Sequence, residues 1–220
     1  MDRENRKFLK KLSICIVVLF VIVTSVNLCV MNFTPINRLL GGYEEQKLDL
    51  SRADGANITY NDDGTITLGE GYAELEFTGI DARVGSIGFD IDFGDSKKGG
   101  KVCADFADAT SSYYRKNLTR LTIGKNFDNV MVCNFSGDVS RLRFEISLDD
   151  YQSATLKGIT LNQSISPMHI AEIVGLWFLV ALGLTILIYM IANPVGARKK
   201  FSENRVGCAR VAAFITAAAM

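Results

Sequence analysis

The chain has 220 residues, 48% of them hydrophobic and 22% charged, with 24 basic side chains against 24 acidic ones. The neutrality is a sum of opposites, since residues 33–168 carry 14 Lys and Arg against 20 Asp and Glu while both flanks are basic. An acidic middle without a basic stripe excludes a nucleic-acid partner, and a single histidine, His169, excludes a histidine metal centre or triad confined to this chain.

Residues 1–12 form a basic N-terminus with Arg3, Arg6, Lys7, Lys10 and Lys11. The apolar run Ser13–Met31 follows, long enough to cross a hydrocarbon core of about 30 Å as a helix. It exceeds the usual h-region of a secretory signal, and neither Ser25-Val26-Asn27 nor Cys29-Val30-Met31 offers a small-x-small cleavage site, so it reads as an uncleaved anchor. Residues 32–49 read as a loose connector.

Residues 50–163 show the period-2 alternation of half-buried strands. Ala73, Leu75 and Phe77 alternate with Glu74, Glu76 and Thr78; Ile87, Phe89, Ile91 and Phe93 with Gly88, Asp90 and Asp92; Leu142, Phe144, Ile146 and Leu148 with Arg141, Arg143, Glu145 and Ser147. Shorter runs at Asn57–Tyr60, Thr65–Leu68, Lys101–Phe106, Leu118–Ile123, Val130–Phe135 and Thr155–Asn162 bring the count to about nine strands. Turn clusters separate them, among them Asn61-Asp62-Asp63-Gly64 and Ser136-Gly137-Asp138. The expected fold is an all-β antiparallel sandwich, jelly-roll-like, set between two transmembrane helices.

Residues 164–169 are a linker, and Ile170–Ala192 is the second spanning run. Residues 193–210 carry Arg198, Lys199, Lys200, Arg205 and Arg210. Basic flanks stay on the cytoplasmic side, so the expected topology is a multi-pass cell-membrane protein with its N-terminus inside and residues 33–168 outside. Residues 211–220 are apolar again and read as the start of a third span, the chain being the front of a longer membrane protein. The lipid bilayer is the first expected partner.

Candidate sites fall in the outer segment. Tyr113 and Tyr114, followed by Arg115, combine rings on which a sugar can stack with a donor for its hydroxyl or carboxylate groups; the alternative is one ring covering a sheet edge. Cys103 and Cys133 either form one disulfide in an oxidising exterior or are two small buried thiols. Asp90-Ile91-Asp92 is an acidic pair whose period puts both carboxylates on a solvated face. Asp62-Asp63-Gly64, Asp95 and Asp149-Asp150 supply oxygens for a structural calcium ion or serve only as turn chemistry; no other cofactor is implied. Five Asn-x-Ser/Thr sequons begin at Asn32, Asn57, Asn117, Asn134 and Asn162, acceptors in a eukaryote and meaningless in a bacterium. His169, Glu172 and Trp177 read as membrane-interface anchors. No nucleophile–base pair or phosphate-cradling loop stands out, so no catalytic residue is assigned.

The closing strands, Val139–Leu148 and Ala154–Asn162, resemble the last two strands of carbohydrate-binding-type jelly rolls. The frame of one anchor, an outer β-domain, a second span and a basic loop is similar to bacterial polytopic envelope proteins of the glycosyltransferase kind. The resemblance implies a domain that binds or positions a saccharide or a protein partner, with the chemistry elsewhere in a multi-span body. The other readings of the frame are a two-span sensor and a small display protein with no glycan role.

Overall fold

The computed structural model describes residues 3–94, 99–111, 114–133, 135, 138–149 and 153–192. The chain divides into two units, one made of the N-terminal residues through Asn27 together with those from Ile170 onward, the other of Leu28–His169.

In the first unit the apolar runs are helices. α1 spans Arg3–Val26 and passes into a π-helical stretch, Asn27–Met31; α3 spans Pro167–Ala192. Lys10–Met31 and Pro167–Ile191 are long and apolar enough to cross a membrane. Phe20 of α1 meets Phe178 of α3 edge-on, ring centres 5.8 Å apart. Thr185 donates its hydroxyl to the Ala181 carbonyl at 2.8 Å, which satisfies a polar group within the apolar stretch of the helix. The segment beyond Ala192, including the expected third span, lies outside the described residues.

The second unit opens with a short helix, α2 (Pro35–Gly41), and continues as a two-layer sandwich of eleven strands among the described residues. The strands are β1 (Gln46–Lys47), β2 (Asp54–Ala56), β3 (Ile58–Tyr60), β4 (Ile66–Leu68), β5 (Tyr72–Arg83), β6 (Ser86–Asp92), β7 (Gly100–Ala107), β8 (Arg115–Ile123), β9 (Val130–Val132), β10 (Asp138–Leu148) and β11 (Ala154–Leu161). One sheet runs β3-β4-β11-β6-β9 with β1 also on β11; the other runs β2-β5-β10-β7-β8. Every pairing is antiparallel.

The alternation seen in the sequence decides the layering. Leu75, Phe77, Leu142, Phe144 and Ile146 of one sheet are buried against Ile66, Ile87, Phe89, Leu156 and Ile159 of the other. Phe144 is fully buried and lies edge-on to Phe77 within its sheet, at 6.0 Å, and to Phe89 across the core, at 5.4 Å.

Residues 32–49 are more than a loose connector. Phe33 is 5% exposed and packs edge-on against Tyr43, β1 pairs with β11, and Leu48 N–H donates to the Ile159 carbonyl at 2.9 Å. Thr34 caps α2 by accepting from the Asn37 N–H, Pro35 occupies its first turn, and Gly42 ends it with φ +65°. Of these caps the last demands glycine, because the left-handed region carries no Cβ penalty only there.

Candidate functional site

The outer face of the six-stranded sheet holds a polar groove of about 620 Å³. Its floor lies where β6 and β11 pair, with Asp90 and Thr160 on the lining. Gly158 faces Asp90 in register on the neighbouring strand. Glu45 and Lys47 form one wall. The turn Lys125–Asn129 forms the other, and Gln163 and Ser164 close the end next to the strand exit.

The turn is held rigidly. Asn129 accepts from the Gly124 N–H at 3.0 Å and donates its amide to the Gly124 carbonyl at 3.2 Å. Lys125 donates its ammonium to the Gly94 carbonyl at 2.8 Å. Asp128 accepts the Ser166 N–H at 2.6 Å, and Ser166 in turn accepts the His169 N–H at 3.2 Å. Phe127 stands on this turn with 60% of its surface exposed. A Cβ on Gly124 would lie 2.8 Å from the Phe127 ring, so the ring rests on bare backbone on one side and faces solvent on the other. An exposed aromatic platform beside carboxylate, amide and ammonium groups is the equipment for stacking a ring-shaped polyol and bonding its hydroxyls.

The aromatic cluster expected from the sequence is built differently. Tyr113 lies outside the described residues. Tyr114 is half-buried on the outer face of the five-stranded sheet, its hydroxyl donating to the Glu76 carboxylate and its ring covered by the guanidinium groups of Arg141 and Arg143, 5.1 and 4.8 Å from the ring centre. Burial foremost, then the Glu76 carboxylate, pushes its phenol well above the ordinary range. Arg143 also donates to Asp105 at 2.7 Å, and Asp105 is only 6% exposed. Arg115 pairs with Asp108 at 3.2 Å. Tyr114 is thus packed into a cluster of charged side chains, its ring covered by two guanidinium groups, while Arg115 is engaged by Asp108.

Of the two readings open for Cys103 and Cys133, the structure has both as free thiols. Cys103 sits opposite Glu145 on the outward row of β7, whereas Cys133 follows β9 in the other sheet and is buried in the core. Burial pushes the Cys133 thiol up. Asp92 of the acidic pair bonds Lys157 at 2.7 Å, a contact that holds its carboxyl below the usual range; Asp90 alone of the two lines the groove. Asp63 accepts from both the N–H and the hydroxyl of Thr65, at 3.0 and 2.7 Å, as turn chemistry requires, while Asp95 and Asp150 lie outside the described residues. Among the described residues no group of three or more His, Cys, Asp or Glu side chains converges on a metal position.

Asn162, inside a sequon, is 2% exposed with φ +58°. It accepts from the Gly85 N–H at 2.8 Å and donates to the Glu44 and Arg83 carbonyls at 2.8 and 2.9 Å, so it is a structural clamp. On α3, Glu172 is exposed and His169 and Trp177 are half-buried. Phe127, Gln163 and Lys47 were not singled out by sequence; the available signal was a lone Phe in the polar turn Gly124-Lys125-Asn126-Phe127-Asp128.

No protein-family profile matches the sequence, and no curated protein matches it. Among solved structures the chain is similar to a family two carbohydrate esterase from Cellvibrio japonicus, at 17% identity over 56% of this chain and 35% of the esterase, TM-score 0.34. It is also similar to a pectin binding carbohydrate binding module, at 8% identity over 56% of this chain and 95% of the module, TM-score 0.42. A third is the C-terminal CBM6 of a marine laminarinase from Zobellia galactanivorans, at 11% identity over 55% of this chain and 100% of the module, TM-score 0.36. The chain thus spans about a third of the esterase's length. The sandwich itself is established by the strand pairing above.

Proposed function

We propose that this chain is a membrane-anchored saccharide-binding protein, its two apolar helices spanning a cell membrane and its β-sandwich facing outside. In this reading the groove over β6 and β11 takes a short stretch of glycan. The observation that carries it is Phe127: a ring 60% exposed, seated on Gly124, in a groove lined by Asp90, Lys47, Asn129 and Gln163. Isolated exposed aromatics are ordinary, but a ring backed by Gly124 beside a concave polar lining is suited to a sugar's apolar face and equatorial hydroxyls. The helix lengths and the basic flanks support the membrane frame. His169, Glu172 and Trp177 would then anchor the start of the second span at the interface. Gln163 and Ser164, which line the groove, precede Pro167, the first residue of the second helix, by only a few residues of sequence. That position suits a domain that presents glycan to membrane-bound assembly machinery, the role we assign to it.

The test is a glycan array probed with the detergent-solubilised full chain. Binding to a family of related saccharides, reduced on the order of tenfold by Phe127→Ala, is the expected result. Binding to none, or binding untouched by the substitution, removes the groove from the reading.

A further inference from the structure

Ile36, Leu39 and Leu40 of α2 are 62%, 82% and 82% exposed, and Val30 and Met31 just before it are 72% and 65% exposed. The spacing i, i+3, i+4 puts the three α2 side chains on one helix face. The polar residues between them are used on the domain: Asn37 donates to the Cys29 carbonyl at 2.7 Å, and Arg38 pairs with Glu45. The face is not a floppy one, because both ends of α2 are capped and Phe33 and Tyr43, which flank it, pack edge-on at 5.3 Å. A rigid helix that presents only large apolar side chains outward is not built for water.

We infer that α2 is an interfacial helix that seats the β-sandwich on the outer leaflet of the bilayer, with Ile36, Leu39 and Leu40 dipping into the headgroup–acyl boundary. This rests on the membrane reading above. Two features identify the bilayer as the occupant. Met31 ends the apolar run that continues from α1, and four peptide steps of 3.8 Å keep Pro35 within about 15 Å of it. The entry and exit segments are also joined, since the Ile165 N–H donates to the Phe33 carbonyl at 2.9 Å, and Met168, in the first turn of the second apolar helix, is 70% exposed. Val30, Met31, Ile36, Leu39, Leu40 and Met168, exposed apolar side chains, thus all lie in the segments by which the chain enters and leaves the domain. An amphipathic helix held there inserts its apolar face by about 5–10 Å.

The chain has one tryptophan, Trp177, which makes the test clean. The full chain is reconstituted in phosphatidylcholine vesicles, with or without lipids brominated near the headgroup, as wild type and as Trp177→Phe/Leu39→Trp. A blue-shifted emission from the new tryptophan, losing roughly half its intensity or more to brominated lipid and shielded from aqueous iodide, is the expected outcome for a residue at interfacial depth. Trp177→Phe/Tyr60→Trp supplies the water-facing reference, and Leu40→Trp repeats the measurement one residue on. Iodide quenching equal to that reference, with no effect of brominated lipid, overturns the inference. Quenching of wild-type Trp177 by lipid brominated either near the headgroup or deeper in the chain reports the second helix independently: if it too fails, the membrane reading falls, and if it succeeds while Leu39→Trp fails, only the seat does.

Discussion

The Arg143 guanidinium lies 4.8 Å above the Tyr114 ring and donates to the Asp105 carboxylate at 2.7 Å, so one side chain covers an aromatic face and neutralises a nearly buried anion. In register Arg143 sits between Glu76 on β5 and Asp105 on β7, the central position of the charged lattice. Removing the cation leaves Asp105 in a low-dielectric place without its partner. Arg143→Met is expected to destabilise the domain by about 3–5 kcal/mol, and Arg143→Met with Asp105→Leu to recover most of that. Thermal unfolding of the full chain in detergent, followed by the β-sheet circular dichroism signal, measures both.

Asn162→Ala deletes three hydrogen bonds among the Glu44, Arg83 and Gly85 backbone groups and leaves at φ +58° a residue less tolerant of the left-handed region than Asn. The expected loss is about 2–4 kcal/mol, and Asn162→Gly, which relieves the φ but not the hydrogen bonds, is expected to recover only a part. The same burial predicts that Asn162 carries no glycan when the chain is expressed in a glycosylating host, checked by mass spectrometry of the peptide.

Much of this was legible in the sequence, and for physical reasons. The nine strands expected were found because each sets one face against a core, which makes every second residue apolar, as in Leu142, Phe144 and Ile146. β1 and β2 escaped because two or three exposed residues have no period to read. α2 escaped although its caps were present as Thr34-Pro35 and Gly42, since its apolar residues serve no protein core and mimic a connector. The site was less legible. Tyr114 looks free beside Arg115, but residues 27 and 29 positions later, Arg141 and Arg143, fold back over its ring. Phe127 is a single aromatic in a turn, and only the fold reveals Gly124 beneath it and Gln163 across the groove.

Thiol chemistry separates the cysteines. Cys133 is buried with its thiol pushed up, so it is expected to resist maleimide in the native state and to label after denaturation. Cys103, on the outward row of β7, is expected to label without denaturation. Non-reducing peptide mapping is expected to show no Cys103–Cys133 cross-link.

Acid is expected to weaken the fold through its surface turns. Hydrogen bonds from Lys157 to Asp92, from Ser51 to Asp49, from Thr65 to Asp63 and from Thr110 to Asp108 hold these carboxyls below their ordinary value of 3.8. A carboxyl with a lowered folded-state pKa adds stability above its ordinary pKa and loses it as pH falls through the folded value. Unfolding midpoints should therefore be level from neutrality down to about pH 5 and fall below about pH 4. Asp92→Asn and Asp63→Asn together should flatten that acid limb.

The central claim, that the groove with Phe127 is the ligand site, is tested most directly by calorimetric titration of the full chain with its best array saccharide. Three variants are compared with wild type: Phe127→Ala, Gly124→Ala, whose new methyl displaces the Phe127 ring, and Tyr114→Phe on the opposite sheet. The predicted result is a loss on the order of tenfold for the first two and unchanged affinity for the third. Full affinity in Phe127→Ala and Gly124→Ala, with loss in Tyr114→Phe, would contradict the account and move the site to the charged face.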